Sequence, residues 1–142
     1  MVTSPFGDSY TKEDIIMNFT THNEDDLINA DGTSLHGIIK VEYSTLVEMF
    51  GEPQEMDGPN KTDWEWTIEF GDGSVATIYN WKNGPNYCGD AGLYRHEVVQ
   101  HGWHIGARDK HTVRLLEEAI AYHQVNQQMD AMSESMNAVG GE

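Results

Sequence analysis

The stretch DWEWTIEF-GDGS-VATIYNWK, residues 63–82, constrains this chain more than any other. Trp64, Trp66, Ile68 and Phe70 alternate with Glu65, Thr67 and Glu69, the period of a strand with one face buried and one wet. GDGS offers Asp72 and Gly73 for the positive φ angles of a tight hairpin turn. The returning strand sets Val75, Thr77, Tyr79 and Trp81 on one face and Ala76, Ile78, Asn80 and Lys82 on the other. A two-stranded hairpin is marginal alone, so further strands and a cover for the tryptophan face are required.

The flanking sequence supplies both. LHGIIKVEY over 35–43 reads as a β-branched strand. Ser44, or Thr45 with Glu48, is placed to cap a two-turn helix that ends at Gly51, with Pro53 stopping continuation. GWHIG over 102–106 reads as a short last strand. Asp109 caps a helix whose Val113, Leu116, Ala119, Ile120 and His123 share one stripe, widened by Leu115 and Tyr122. The expected fold is α+β: an antiparallel sheet of about four strands covered on one face by a short helix and a C-terminal helix. Residues 34–126 form the expected domain. Residues 1–33 read as a mostly irregular acidic segment with one short helix near Ile15–Phe19, capped by Ser9 or Thr11, and 127–142 as a flexible tail ended by Gly140 and Gly141.

The formal net charge is −16, and more than half of that excess lies outside residues 34–112. Such a surface repels nucleic acid and anionic membranes and steers association toward basic partners. With Cys88 as its single cysteine the chain forms no internal disulfide, which fits a reducing compartment. The N-terminus lacks the basic and apolar blocks of a secretion signal and no apolar run reaches a membrane span, so a soluble intracellular protein is expected.

FGEP at 50–53, the EW at 65–66, DGSVATIYNWK at 72–82, Tyr87 with Gly89, and WHIG at 103–106 together resemble a family of small uncharacterised proteins encoded by tailed bacteriophages. The resemblance spans about residues 38–120 and implies action in the cytoplasm of a bacterial host; it carries no catalytic role. Ala107 stands where that pattern has a second glycine. The helix, G-x-P and two strands over 44–82 are also similar to the α-β-β unit of β-lactamase inhibitory proteins and of small outer-membrane assembly lipoproteins, a likeness of fold that assigns no function.

Residues 78–106 concentrate the remaining chemistry. Cys88, His96, His101 and His104 match no compact metal-ligand spacing, and Cys88 has no evident activating helix terminus or base. No metal, cofactor or catalytic residue is therefore expected. Tyr79, Trp81, Tyr87 and Trp103 offer ring surfaces, Asn80 and Asn86 amide edges, and Lys82, Arg95 and Arg108 charge for a phosphate or carboxylate. Against this, Trp81 and Trp103 also suit packing beneath the 83–92 loop, and Asn86 suits closing a turn. The leading expectation is a non-enzymatic phage accessory protein that binds a host protein, of basic, nucleic-acid-binding or defence type. A sequestering module for a nucleotide-like molecule and a minor virion component are the alternatives. Convergence of Lys82, Arg95 and Arg108 beside exposed rings would favour the small molecule.

Overall fold

A computed structural model describes residues 11–23, 33–58 and 60–140. Six antiparallel strands form one sheet: β1 (Thr20–Thr21), β2 (Ser34–Ile39), β3 (Gln54–Glu55), β4 (Trp64–Glu69), β5 (Val75–Tyr79) and β6 (Trp103–Ala107). The order is β1-β4-β5-β6-β2, with β3 also on β4, beyond the β1 pairing. The α+β expectation holds; the four longer strands are joined by two of two residues each, too short to leave a period in the sequence.

Alternation decides the faces. Trp64, Trp66 and Ile68 of β4 meet Ala76 and Ile78 of β5 and Trp103, Ile105 and Ala107 of β6 in one buried layer. Helix α2 (Tyr43–Phe50) brings Leu46 and Phe50 to it, and α4 (Lys110–Gly140) brings Val113, Leu115, Leu116, Ala119 and Ile120. Three tryptophans pack edge to face there, Trp66 and Trp103 with centroids 5.2 Å apart, an arrangement that suits the ring quadrupole. Two of the indole N–H groups find backbone acceptors: Trp66 donates to the Gly51 carbonyl at 2.8 Å and Trp103 to that of Val41 at 3.1 Å. The opposite sheet face carries Glu65, Thr67, Thr77, Tyr79 and His104, with Leu35 and Ile38 exposed.

Local details depart from the sequence expectations for physical reasons. At the hairpin only Gly73 is left-handed, at φ +87°. Asp72 instead turns its carboxylate onto the Ser74 N–H at 2.9 Å, while Gly73 N–H closes the turn on the Phe70 carbonyl. Helix α2 begins one residue before Ser44, after Glu42, with no side-chain cap. Gly51 ends it at φ +82°, and Asp109 accepts from Thr112 N–H and Oγ1 at the start of α4.

Residues 11–23, within the segment expected to be mostly irregular, hold α1 (Lys12–Met17) and β1. Thr11 and Asp14 exchange a capping box, which satisfies two of the orphan N–H groups; Ser9 lies outside the described residues. Ile16 joins the core and Phe19 packs edge-on against Phe50 at 5.1 Å. Buried Asn23 donates to the Phe50 and Glu52 carbonyls and accepts from Thr67 N–H. At the other end, α4 stays helical past residue 126 as far as Gly140. No helix among the described residues is long and apolar enough to cross a membrane.

Candidate functional site

The hairpin's second strand stops at Tyr79, and the next residue begins a loop fixed from beneath. Asn80 is wholly buried on the core side. Its Oδ1 accepts from the N–H groups of Asp63 (2.8 Å) and Trp64 (3.1 Å), and its Nδ2 donates to Asp63 Oδ1 (2.9 Å) and Asn83 Oδ1 (3.2 Å). The other Asp63 oxygen accepts Asn86 N–H at 3.0 Å, and Asn86 Nδ2 donates to the carbonyls of Met56 and Thr62. Every polar atom of the Asp63 carboxylate and the Asn80 amide is thus paired, the condition under which a buried polar network rigidifies its surroundings.

Gly84 passes directly over this knot. A Cβ there would fall onto the Asp63 carboxylate and the Asn80 amide, so glycine is required by the close approach. Gly84 precedes α3 (Pro85–Cys88), and Leu93 N–H closes the loop on the Asn83 carbonyl at 2.7 Å. Lys82 takes a left-handed φ of +56° and its N–H donates to the Lys61 carbonyl at 2.7 Å. That reversal carries the Lys82 side chain away from the face opposite Trp81, where simple alternation placed it, and onto the Trp81 ring.

The outer side of the loop is aromatic and cationic. The ammonium groups of Lys61 and Lys82 each lie 5.7 Å from the centre of a Trp81 ring, and Lys82 is equally near Tyr87. Arg95 rests between Tyr43 and Tyr94, 5.1 Å from each ring, and makes no hydrogen bond or ion pair among the described residues. Trp81, Tyr87 and Tyr94 remain 40%, 54% and 44% exposed, a large apolar area for a short loop to leave in water.

Two shallow depressions adjoin these groups. One of about 270 Å³ crosses the open sheet face along Glu65, Thr77, Tyr79, Trp81 and Gly106. The other, about 230 Å³, lies beside Tyr94 and Arg95 against Glu55, Met56, Pro85 and Asn86. On the open face Tyr79 stacks edge-on with both Trp81 (6.2 Å) and His104 (5.6 Å). Burial pushes the Glu65 carboxyl up and the His104 imidazole down from their ordinary values; Tyr79 is raised by burial and then by neighbouring Glu65.

The expected site residues therefore separate. Trp81, Lys82 and Tyr87 are exposed, Tyr79 and Arg95 are half-buried, and Asn86 is half-buried as a strut. Asn80 and Trp103 are corrections. Both are fully buried, Asn80 because the loop closes over it and Trp103 because β6 presents it to the core between Trp64 and Trp66. Nor do the three bases converge. Lys82 holds Trp81 and Tyr87, Arg95 holds other rings, and Arg108 follows β6 at its Ala107 end, whereas the loop leaves β5 at Tyr79, opposite His104. Lys61, Tyr43 and Tyr94 were not anticipated: they come from separate segments, and only the fold brings them together.

Among the described residues no group of three His, Cys, Asp or Glu is placed to hold a metal ion. Cys88 Sγ donates to the Lys82 carbonyl, and His96 stacks on Tyr94. Comparison of the chain with protein-family models and with curated proteins finds no match.

Proposed function

We propose that this chain is a non-enzymatic binding protein, a bacteriophage accessory protein that engages a host protein in the bacterial cytoplasm through the outer side of the 81–95 loop. One observation carries the reading. Three exposed rings, each paired with a cation, sit on a backbone that the Asp63–Asn80–Asn86 knot holds rigid. Trp, Tyr and Arg anchors dominate protein-binding hot spots, and a preordered loop forfeits little entropy on docking. The acidic remainder of the chain favours encounter with a basic protein and speeds it at low salt. Lys82 and Arg95 then take carboxylates at the contact itself, Arg95 through its uncommitted N–H edges.

A second reading, capture of a nucleotide-like molecule, draws on the two ammonium groups beside the exposed Trp81 indole. It is the weaker one, since Asn80 offers no amide edge to solvent and the three bases are dispersed. Pull-downs from bacterial lysate with wild type, Trp81→Ala and Lys82→Ala separate the two readings when run beside native mass spectrometry in a nucleotide pool. A host protein retained by wild type and lost with both variants is the expected outcome. Retention of nucleotide in place of protein would establish the second reading, and equal protein capture by all three chains would remove this loop from the interface.

A further inference from the structure

The open sheet face carries two acids of β4 that the fold treats differently. Glu69 lies 3.3 Å from the His22 imidazole. Glu65, on the same face of the strand, is half-buried and makes no hydrogen bond or ion pair among the described residues. Its neighbours across the sheet explain why: Gln54 pairs with it on one side and Tyr79 on the other, and Tyr79 in turn separates it from His104. Lys61 and Lys82 are held at Trp81 instead. Glu65 is thus the only charged side chain along the depression of about 270 Å³ that it shares with Thr62, Thr67, Thr77, Tyr79 and Trp81. Burial raises its carboxyl with nothing to offset the effect, so the fold holds a charge short of solvent that a bound cation would neutralise.

We infer that this depression receives an arginine side chain of a protein partner, its guanidinium on the Glu65 carboxylate and its flat face against the Tyr79 and Trp81 rings. Charge selects a cation, and shape selects arginine among cations. A planar guanidinium meets both carboxylate oxygens, keeps further donors for the threonine hydroxyls and lies flat on a ring, whereas an ammonium is a compact, strongly hydrated point charge. The volume suits one side chain, since pockets for small-molecule ligands begin at about 300 Å³. Trp81 borders both this depression and the outer side of the loop, so a partner docked on the loop also lies over Glu65. The inference rests on the host-protein reading above for that partner, and it names the residue the partner must present.

Titration of nitrogen-labelled protein with N-acetyl-arginine amide, its lysine counterpart and its uncharged citrulline counterpart tests this by magnetic resonance, with the Trp81 indole N–H as reporter. Arginine should shift that signal along a saturable curve, lysine should bind several-fold more weakly, and citrulline should not bind. Glu65→Gln keeps the shape of the side chain and should weaken arginine binding about tenfold or more. It should not lower the melting temperature, because it removes a half-buried charge. Glu117→Gln deletes the same charge from an exposed position on α4 and should change neither. No saturable shift, lysine or citrulline bound as tightly as arginine, or equal arginine binding by wild type and Glu65→Gln would each overturn the inference. So would equal weakening by Glu117→Gln, or a melting temperature lowered by Glu65→Gln, which would give the carboxylate a partner within the fold. No host protein takes part, so arginine binding without capture from lysate would strike the host-protein reading alone, and capture without arginine binding would strike this inference alone.

Discussion

The β4–β5 hairpin is held by different physics at its two ends. Toward the turn, Trp66, Ile68, Ala76 and Ile78 lie in an apolar layer beneath α2 and α4. At the open end, Asp63 and Asn80 are locked by directional bonds beneath the loop. Apolar burial is tolerant: many side chains of the right volume fill such a layer. A closed polar network is not, because removing one member strands its partners without water. The apolar end therefore sets how stable the protein is, and the polar end sets the shape of the surface it presents.

The sharpest way to break this contrast is at Trp66. Trp66→Ala should cost roughly 3 to 5 kcal/mol, measured by chemical denaturation, with body and loop unfolding together. A variant as stable as wild type would mean that the layer does not carry the fold. Asn80→Ala leaves the Asp63 carboxylate and two backbone N–H groups short of partners and should cost about 2 to 3 kcal/mol. Amide exchange should rise first over residues 82–93. Uniformly raised exchange would show that the knot and the layer are one cooperative unit, and the contrast drawn above would fall.

A smaller effect tests the open sheet face through pH. His104 has its folded pKa lowered by burial from 6.5, so the folded state binds fewer protons than the unfolded one. Its contribution is complete above that ordinary value and is lost as pH falls through it toward the lower folded value. Glu65, raised from 4.5 by burial, has the opposite sign in the carboxylate range: the folded state gains as pH falls there. His104→Gln should flatten the slope just below pH 6.5 and leave the carboxylate limb unchanged. An unaltered slope would place the titration on another group. Smallest of all, Lys82→Ala should shift stability by no more than about 0.5 kcal/mol while host-protein capture falls. A larger destabilisation would make Lys82 part of the scaffold.

The apolar end was the legible one. Alternation in WEWTIEF and the stripe from Val113 to Ile120 are local signals with fixed periods, and both faces came out as read. Alternation groups Asn80 with Ala76 and Ile78 without saying which face is covered, and its burial depends on Gly84 folding back over it, a tertiary event with no period. Trp103, on the short strand after Gly102, reads either as part of an exposed ring surface or as packed beneath the 83–92 loop, and the pairing of β6 with both β5 and β2 places it in the core instead. Lys61 met Trp81 through the backbone reversal at Lys82, a conformation that the sequence of an ordinary lysine does not advertise.

The place of β2 bears on how the chain is made. Ile39 pairs with Trp103 and Ser34 with Ala107, so this strand has no lasting partner until β6 has been translated. At about 5–20 residues per second the wait is several seconds, during which LHGII and the apolar face of α2 emerge from the ribosome unpaired. All seven acids in residues 1–33 emerge ahead of that stretch, with a single lysine among them and no arginine. Their mutual repulsion gives the nascent segment a built-in brake on aggregation for the interval in which it has no sheet to join.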